Sequence, residues 1–363
     1  MKATQQLHNL GQSLWLDNIT REMITNGTLA RYISDLSVTG LTSNPTIFAH
    51  AIGKGSFYDE AIHHLVGQGK SGEDMLFALA LEDLTRAADL FLPVHDATGG
   101  IDGWVSLEVS PLLADDTAQT IHAAARLHAA AARPNLFIKI PGTPAGIPAI
   151  EESIFAGVPI NVTLLFSREQ YISSAEAYLR GIERRIAAGL DPQVESVASL
   201  FVSRWDVAVK EKISPQYHNR LGIAVAMRTY KAYREMLAST RWQKLAQAGV
   251  HPQRLLWAST GTKDPAASDT LYIQALAAPD TINTIPDKTL LAFADHGKVG
   301  APLPVDGGYA DEVLEEFRRE GVDDEALAAL LQREGVVAFA KSWSELLSFI
   351  REKGSQLGGG NSK

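Results

Sequence analysis

The sequence predicts an α/β fold, a (β/α)8 barrel of the TIM-barrel class, with extra helices inserted after strand 2 and at the C-terminus. Three observations predict it. Short apolar or alternating runs recur eight times along the chain, and longer stretches with helical periodicity separate them. The 363 residues exceed a minimal domain but suit one barrel with appended elements. Eight strands alternating with helices favour closure over the rival, an open doubly wound sheet.

In order, the strands fall at 13–19 (SLWLDNI), 38–44 (VTGLTSN), 104–110 (WVSLEVS) and 136–141 (LFIKIP). They continue at 159–165 (PINVTLL), 197–203 (VASLFVS), 254–260 (RLLWAST) and 281–286 (TINTIP). Ala, Leu, Glu and Arg at helical spacing mark the connections, as at 116–132 and 168–188. The long gap between strands two and three holds two helices, 57–67 and 73–92, within an insertion at about 50–100. A C-terminal helical region at about 308–353 contains helices at 311–320, 324–334 and 336–353. It either covers the barrel mouth or packs on a neighbour. A Gly- and Ser-rich frayed tail, 354–363, completes a single barrel domain spanning 1–363.

Composition narrows the chemistry. A net charge of −9 argues against nucleic acid or an anionic membrane as partner, so any phosphate site must concentrate its cations locally. The absence of cysteine excludes disulfides, a thiol nucleophile and thiolate metal sites. No stretch reads as a secretory signal or membrane span, and the expected location is cytoplasmic. Nucleotide-binding glycine motifs and HExxH are missing. The ten histidines lack ligand spacing and read as surface residues.

Lys139 stands out because it interrupts the apolar run LFIKIP. Alternation places Phe137 and Lys139 on the inward face and Ile138 and Ile140 on the other. A lysine near the C-terminal end of a barrel strand lies in the catalytic mouth. Burial there disfavours the charged ammonium, and a neutral amine can attack a ketone to form a Schiff base. Alone, Lys139 reads better as a snorkelling lysine in an edge strand or as half of a structural ion pair. Its company changes that. Asp17 and Glu108 also interrupt apolar strand runs, and buried acids need partners, so all three should share the barrel interior. Cleaving a carbon–carbon bond beta to an iminium requires a base, which either acid could supply.

With these residues in place, the chain resembles the transaldolases from the first strand to the eighth. The resemblance rests on SLWLDNI at 13–19, GLTSNPTIF at 40–48 and, above all, FIKIPGTPAGIPAIEESIFAGVPINVTLLFS at 137–167. It implies that Lys139 forms the Schiff base and that Asp17 is the general acid/base. It implies that Glu108 and Thr163 hold the water used in imine chemistry. Asn44 and Asn161 would hydrogen-bond a dihydroxyacetone unit, with Ser199 lining the same pocket. Arg204 would clamp phosphate, assisted by Ser259. Many members carry an arginine two residues after that serine; this chain has Gly261 there, and Lys263 would replace the arginine as a point charge. The implied donors are sedoheptulose 7-phosphate or fructose 6-phosphate. The acceptors are glyceraldehyde 3-phosphate or erythrose 4-phosphate, within the non-oxidative pentose phosphate pathway. No cofactor is expected, since the protonated imine serves as electron sink. A lyase releasing free dihydroxyacetone is the nearest alternative, a non-catalytic sugar-phosphate-binding barrel a remote one, and a homodimer a candidate assembly.

Overall fold

In the computed structural model, which describes residues 1–358, all eight expected strands form. They are β1 (Ser13–Leu16), β2 (Val38–Thr42), β3 (Trp104–Glu108), β4 (Leu136–Pro141), β5 (Ile160–Leu165), β6 (Ser196–Phe201), β7 (Arg254–Ala258) and β8 (Ile282–Ile285). Each pairs in parallel with its sequence neighbour, and β8 returns to β1 to close the barrel. Among the described residues no helix is long and apolar enough to cross a membrane.

Alternation builds two cores from the same strands. Leu14, Leu16, Val105, Ile138, Ile140 and Val162 belong to the large cluster between strands and helices. Trp15, Trp104, Phe137, Val197, Leu256 and Ile282 form an inner cluster instead. The inner cluster is aromatic: Trp104 stacks on Phe137 with ring centroids 4.0 Å apart, and Trp15 lies 6.1 Å from the same ring. These rings fit because position 40 is glycine. A Cβ there would stand 2.6 Å from Trp15 Nε1 and 2.7 Å from the Trp104 carbonyl. Beneath them Asp102 accepts from Trp15 Nε1 at 2.8 Å and from Ser13 Oγ. Arg254 donates to Ser13 Oγ at 2.6 Å and to the Thr281 carbonyl at 3.0 Å. The barrel is thus plugged from below, and its polar interior lies above.

Most strands end sooner than their apolar runs suggest, which puts the chemistry-bearing residues at or just past strand ends. Asp17 follows β1, and Glu108 is the last residue of β3. Arg204 does not end a strand; it sits in the first turn of a helix, Ser203–Val209. Between β2 and β3 lie three helices, Pro45–Lys54, Asp59–Gly67 and Gly72–Ala97, the last running through Pro93.

The C-terminal region differs from expectation. Helices 324–334 and 336–353 are one helix, Asp324–Gly358. Gly335, which suggests a break, is a packing glycine inside it. A Cβ there would lie 2.9 Å from Leu164 and 3.6 Å from Arg204 Nη1, so its absence lets the helix settle on the barrel. Residues 354–358 of the expected tail continue that helix, and 359–363 lie outside the described residues. The helix covers the mouth. Gln332 Nε2 donates to the Gly142 and Leu164 carbonyls at 2.9 and 3.0 Å, and Trp343 Nε1 to Glu73 at 2.7 Å. The histidines are not all superficial either. His95 is half-buried against the Trp104 ring, and His251 bonds Glu195 at 2.8 Å, because their ring carbons can cover apolar surface.

Candidate active site

Lys139 projects from β4 into the barrel and is 6% exposed. Register sets it beside Glu108 on β3 and Asn161 on β5. Its Nζ donates to the Ser43 carbonyl at 3.0 Å and lies 3.4 Å from Glu108 Oε2. It reaches a cavity of about 130 Å³ whose wall also includes Asp17, Asn44, Thr163, Ser199, Arg204, Ser259 and Lys263. Lys139, Arg204 and Lys263 face one carboxylate, Asp17, on that wall. An acidic chain has concentrated its cations here. The cavity shares Asp17, Asn44, Arg204, Lys263 and Phe339 with a wider cleft of about 1140 Å³ outside it.

Asp17 meets the cavity yet is otherwise surrounded by protein, and desolvation pushes its carboxyl above the ordinary carboxylate range. Lys139, the Thr42 hydroxyl, Lys263 and Asn44 pull it back. Thr42 Oγ1 donates to Asp17 Oδ1 at 3.1 Å and pairs with Thr284 Oγ1 at 2.7 Å, so a hydroxyl relay links β8, β2 and the acid. Desolvation also raises Glu108, with Lys139 opposing. Two buried acids thus flank one lysine, one on the cavity wall and one behind it.

Asn44 ends the TSN run as the cap of the Pro45–Lys54 helix, accepting from Ile47 N at 3.0 Å. Asn161 is fully buried; it donates to Ser106 Oγ at 3.1 Å and accepts from Ser199 Oγ at 2.8 Å. Next to it on the inward face, Thr163 Oγ1 is buried without a hydrogen-bond partner among the described residues. Leu164 follows with φ +58° at a register shift against β6, an irregularity that Gln332 pins through the Leu164 carbonyl.

Residues 14–350 match the model of the Transaldolase/Fructose-6-phosphate aldolase family. The chain belongs to this family. A transaldolase of Saccharopolyspora erythraea is 44% identical to it over 356 residues, covering 96% of this chain and 97% of the relative. Transaldolases of Renibacterium salmoninarum and Thermobifida fusca are 42% and 44% identical, each over 96% of this chain and covering 96% and 97% of the relative. The activity is that of a transaldolase, an enzyme of the transferase class.

All ten candidate residues of this transaldolase gather around one end of the barrel. Eight line the cavity; Glu108 and Asn161 lie beside it, in contact with residues that do. Arg204 and Lys263 are at the rim, the latter exposed. Sequence reasoning missed Thr42, Ser43, Ser106, Thr284, Phe201 and Phe339. Thr284 and Ser106 carry a readable signal, since each stands two residues after an inward-facing apolar residue, Ile282 or Trp104, and so shares its face.

Proposed function

We propose that this transaldolase moves a dihydroxyacetone unit from a ketose phosphate (sedoheptulose 7-phosphate or fructose 6-phosphate) to an aldose phosphate (glyceraldehyde 3-phosphate or erythrose 4-phosphate). Lys139, buried on the cavity and flanked by two acids, carries this reading. Its amine attacks the ketone carbon, water leaves, and a protonated imine forms. Asp17 takes the proton of the hydroxyl beta to that imine. The carbon–carbon bond then breaks, its electron pair flows into the imine to give an enamine, and the first aldehyde departs. The enamine carbon then adds to the carbonyl carbon of the second aldehyde, the imine re-forms, and the aldehyde oxygen takes the proton held by Asp17 to become a hydroxyl. Water then hydrolyses the imine and frees Lys139.

Glu108 and Thr163 handle that water. The unpartnered Thr163 hydroxyl and the raised Glu108 carboxyl support this role. Asn44, Asn161 and Ser199 hold the three-carbon unit, while Arg204, Ser259 and Lys263 take the phosphate. A guanidinium and an ammonium at the cavity rim are the cations that such an end would meet.

Borohydride reduction in the presence of fructose 6-phosphate tests this. Peptide mass spectrometry should find a three-carbon adduct on Lys139, absent in Lys139→Ala. A folded wild-type enzyme that gives no adduct would refute the mechanism. Product analysis with and without an acceptor aldehyde separates transfer from release of free dihydroxyacetone.

A further inference from the structure

Arg204 is held unusually for a phosphate-binding arginine. Its guanidinium carbon lies 5.3 Å from the Phe201 ring centroid and 5.9 Å from that of Phe339, both within cation–π reach. Burial lowers its pKa and the Glu334 field opposes this, but among the described residues no carboxylate hydrogen-bonds it. A carboxylate partner would occupy the N–H donors, whereas ring faces orient the plane and leave the donors free. Phe339 arrives from the C-terminal helix. Gln332, Gly335 and Phe339 share one face at i, i+3 and i+7, so the hydrogen bonds of Gln332 and the close approach at Gly335 set the ring's position. Phe339 lines both the inner cavity and the outer cleft.

We propose that Phe339 is a positioning residue for phosphate: with Phe201 it holds the Arg204 guanidinium at the cavity rim, donors toward the incoming phosphate. This rests on the reading of Arg204 as a phosphate ligand. The C-terminal helix thereby acts in substrate recognition, as well as covering the mouth.

The test compares Phe339→Leu, Phe339→Tyr and Arg204→Gln in the full-length enzyme. KM and kcat for fructose 6-phosphate, competitive inhibition by inorganic phosphate and melting temperature are measured for each. Phe339→Leu keeps apolar bulk and loses the ring. It should raise both KM and the phosphate inhibition constant roughly 3- to 30-fold, the span of a cation–π contact, with KM changing more than kcat. Phe339→Tyr retains a ring face and should stay near wild type. Arg204→Gln should raise both constants at least as much as Phe339→Leu. If Arg204→Gln raises them and Phe339→Leu does not, the positioning role fails while the phosphate reading stands. Equal losses in the Leu and Tyr variants, tracking melting temperature, would reduce Phe339 to packing and overturn the proposal. If Arg204→Gln moves neither constant, the phosphate reading itself falls and takes the proposal with it.

Discussion

Asp17 shows how single side chains set the working range of this site. Burial raises its carboxyl, and the Thr42 hydroxyl at 3.1 Å is among the groups that lower it. In the proposed mechanism Asp17 is the base and must be ionised, so that mechanism predicts that activity is lost as pH falls through its pKa. Thr42→Val removes a donor to the ionised form and should raise that pKa further. The acidic limb of the kcat/KM profile should therefore move to higher pH, with the alkaline limb unchanged; an unmoved acidic limb would remove Thr42 from the relay. Lys139, Asp17 and Glu108 were legible in sequence because an ionisable group inside an apolar strand needs a partner. Thr42 and Ser43 were not. Strand β2 reads VTGLT, with Thr39 and Thr42 on opposite faces, so neither hydroxyl marks an inner surface, and Lys139 bonds Ser43 through a backbone carbonyl that any residue could offer. Phe201 and Phe339 escaped for a similar reason, since aromatic residues read as core until their ring faces are seen against Arg204.

At the scale of elements, two junctions make measurable demands. On β2, a methyl at position 40 would press on the Trp15 ring and the Trp104 carbonyl, and the carbonyl cannot swing away. Gly40→Ala should destabilise the fold by about 1–3 kcal/mol. A denaturation free energy within about 0.5 kcal/mol of wild type would mean that the strands yield freely. Asp206 joins the Ser203–Val209 helix to the Leu221–Ala238 helix, accepting from Leu221 N at 2.9 Å, Gly222 N at 3.3 Å and Tyr272 Oη at 2.8 Å. Burial pushes its carboxyl from 3.8 up to about 6. The folded state therefore binds a proton that the unfolded chain releases between those values. Stability contributed by this group is greatest below pH 3.8 and declines as pH rises through 6, by roughly 3 kcal/mol in all. Asp206→Asn has no such titration. Wild type should lose stability relative to the variant between pH 4 and 7, measured by urea unfolding, and parallel profiles would refute the assignment. The strands were readable at this scale from alternation, whereas their ends were not: apolar side chains continue past the last ladder bond, and the barrel's stagger decides where pairing stops.

At the scale of the molecule, the closed barrel followed from eight periodic runs, but the path of the C-terminal helix did not. Its course depends on contacts far along the chain, with Gly142, Leu164 and Glu73, and local periodicity carries no trace of them. That course bears on the difference between transferase and lyase, because both form the same enamine and diverge in whether water reaches it before a second aldehyde does. Phe339 stands at the cavity rim with Gln332 and Trp343 fastening the helix on either side. Gln332→Leu removes two bonds to barrel carbonyls, a loss of roughly 2 kcal/mol, and loosens the cover at its anchored end. Free dihydroxyacetone released from fructose 6-phosphate without an acceptor should then rise relative to transfer with one, while Lys139 still traps under borohydride. A variant that melts earlier yet keeps the wild-type ratio of release to transfer would show that the helix stabilises the barrel without guarding the enamine. Protection of the intermediate would then have to come from the cavity walls themselves.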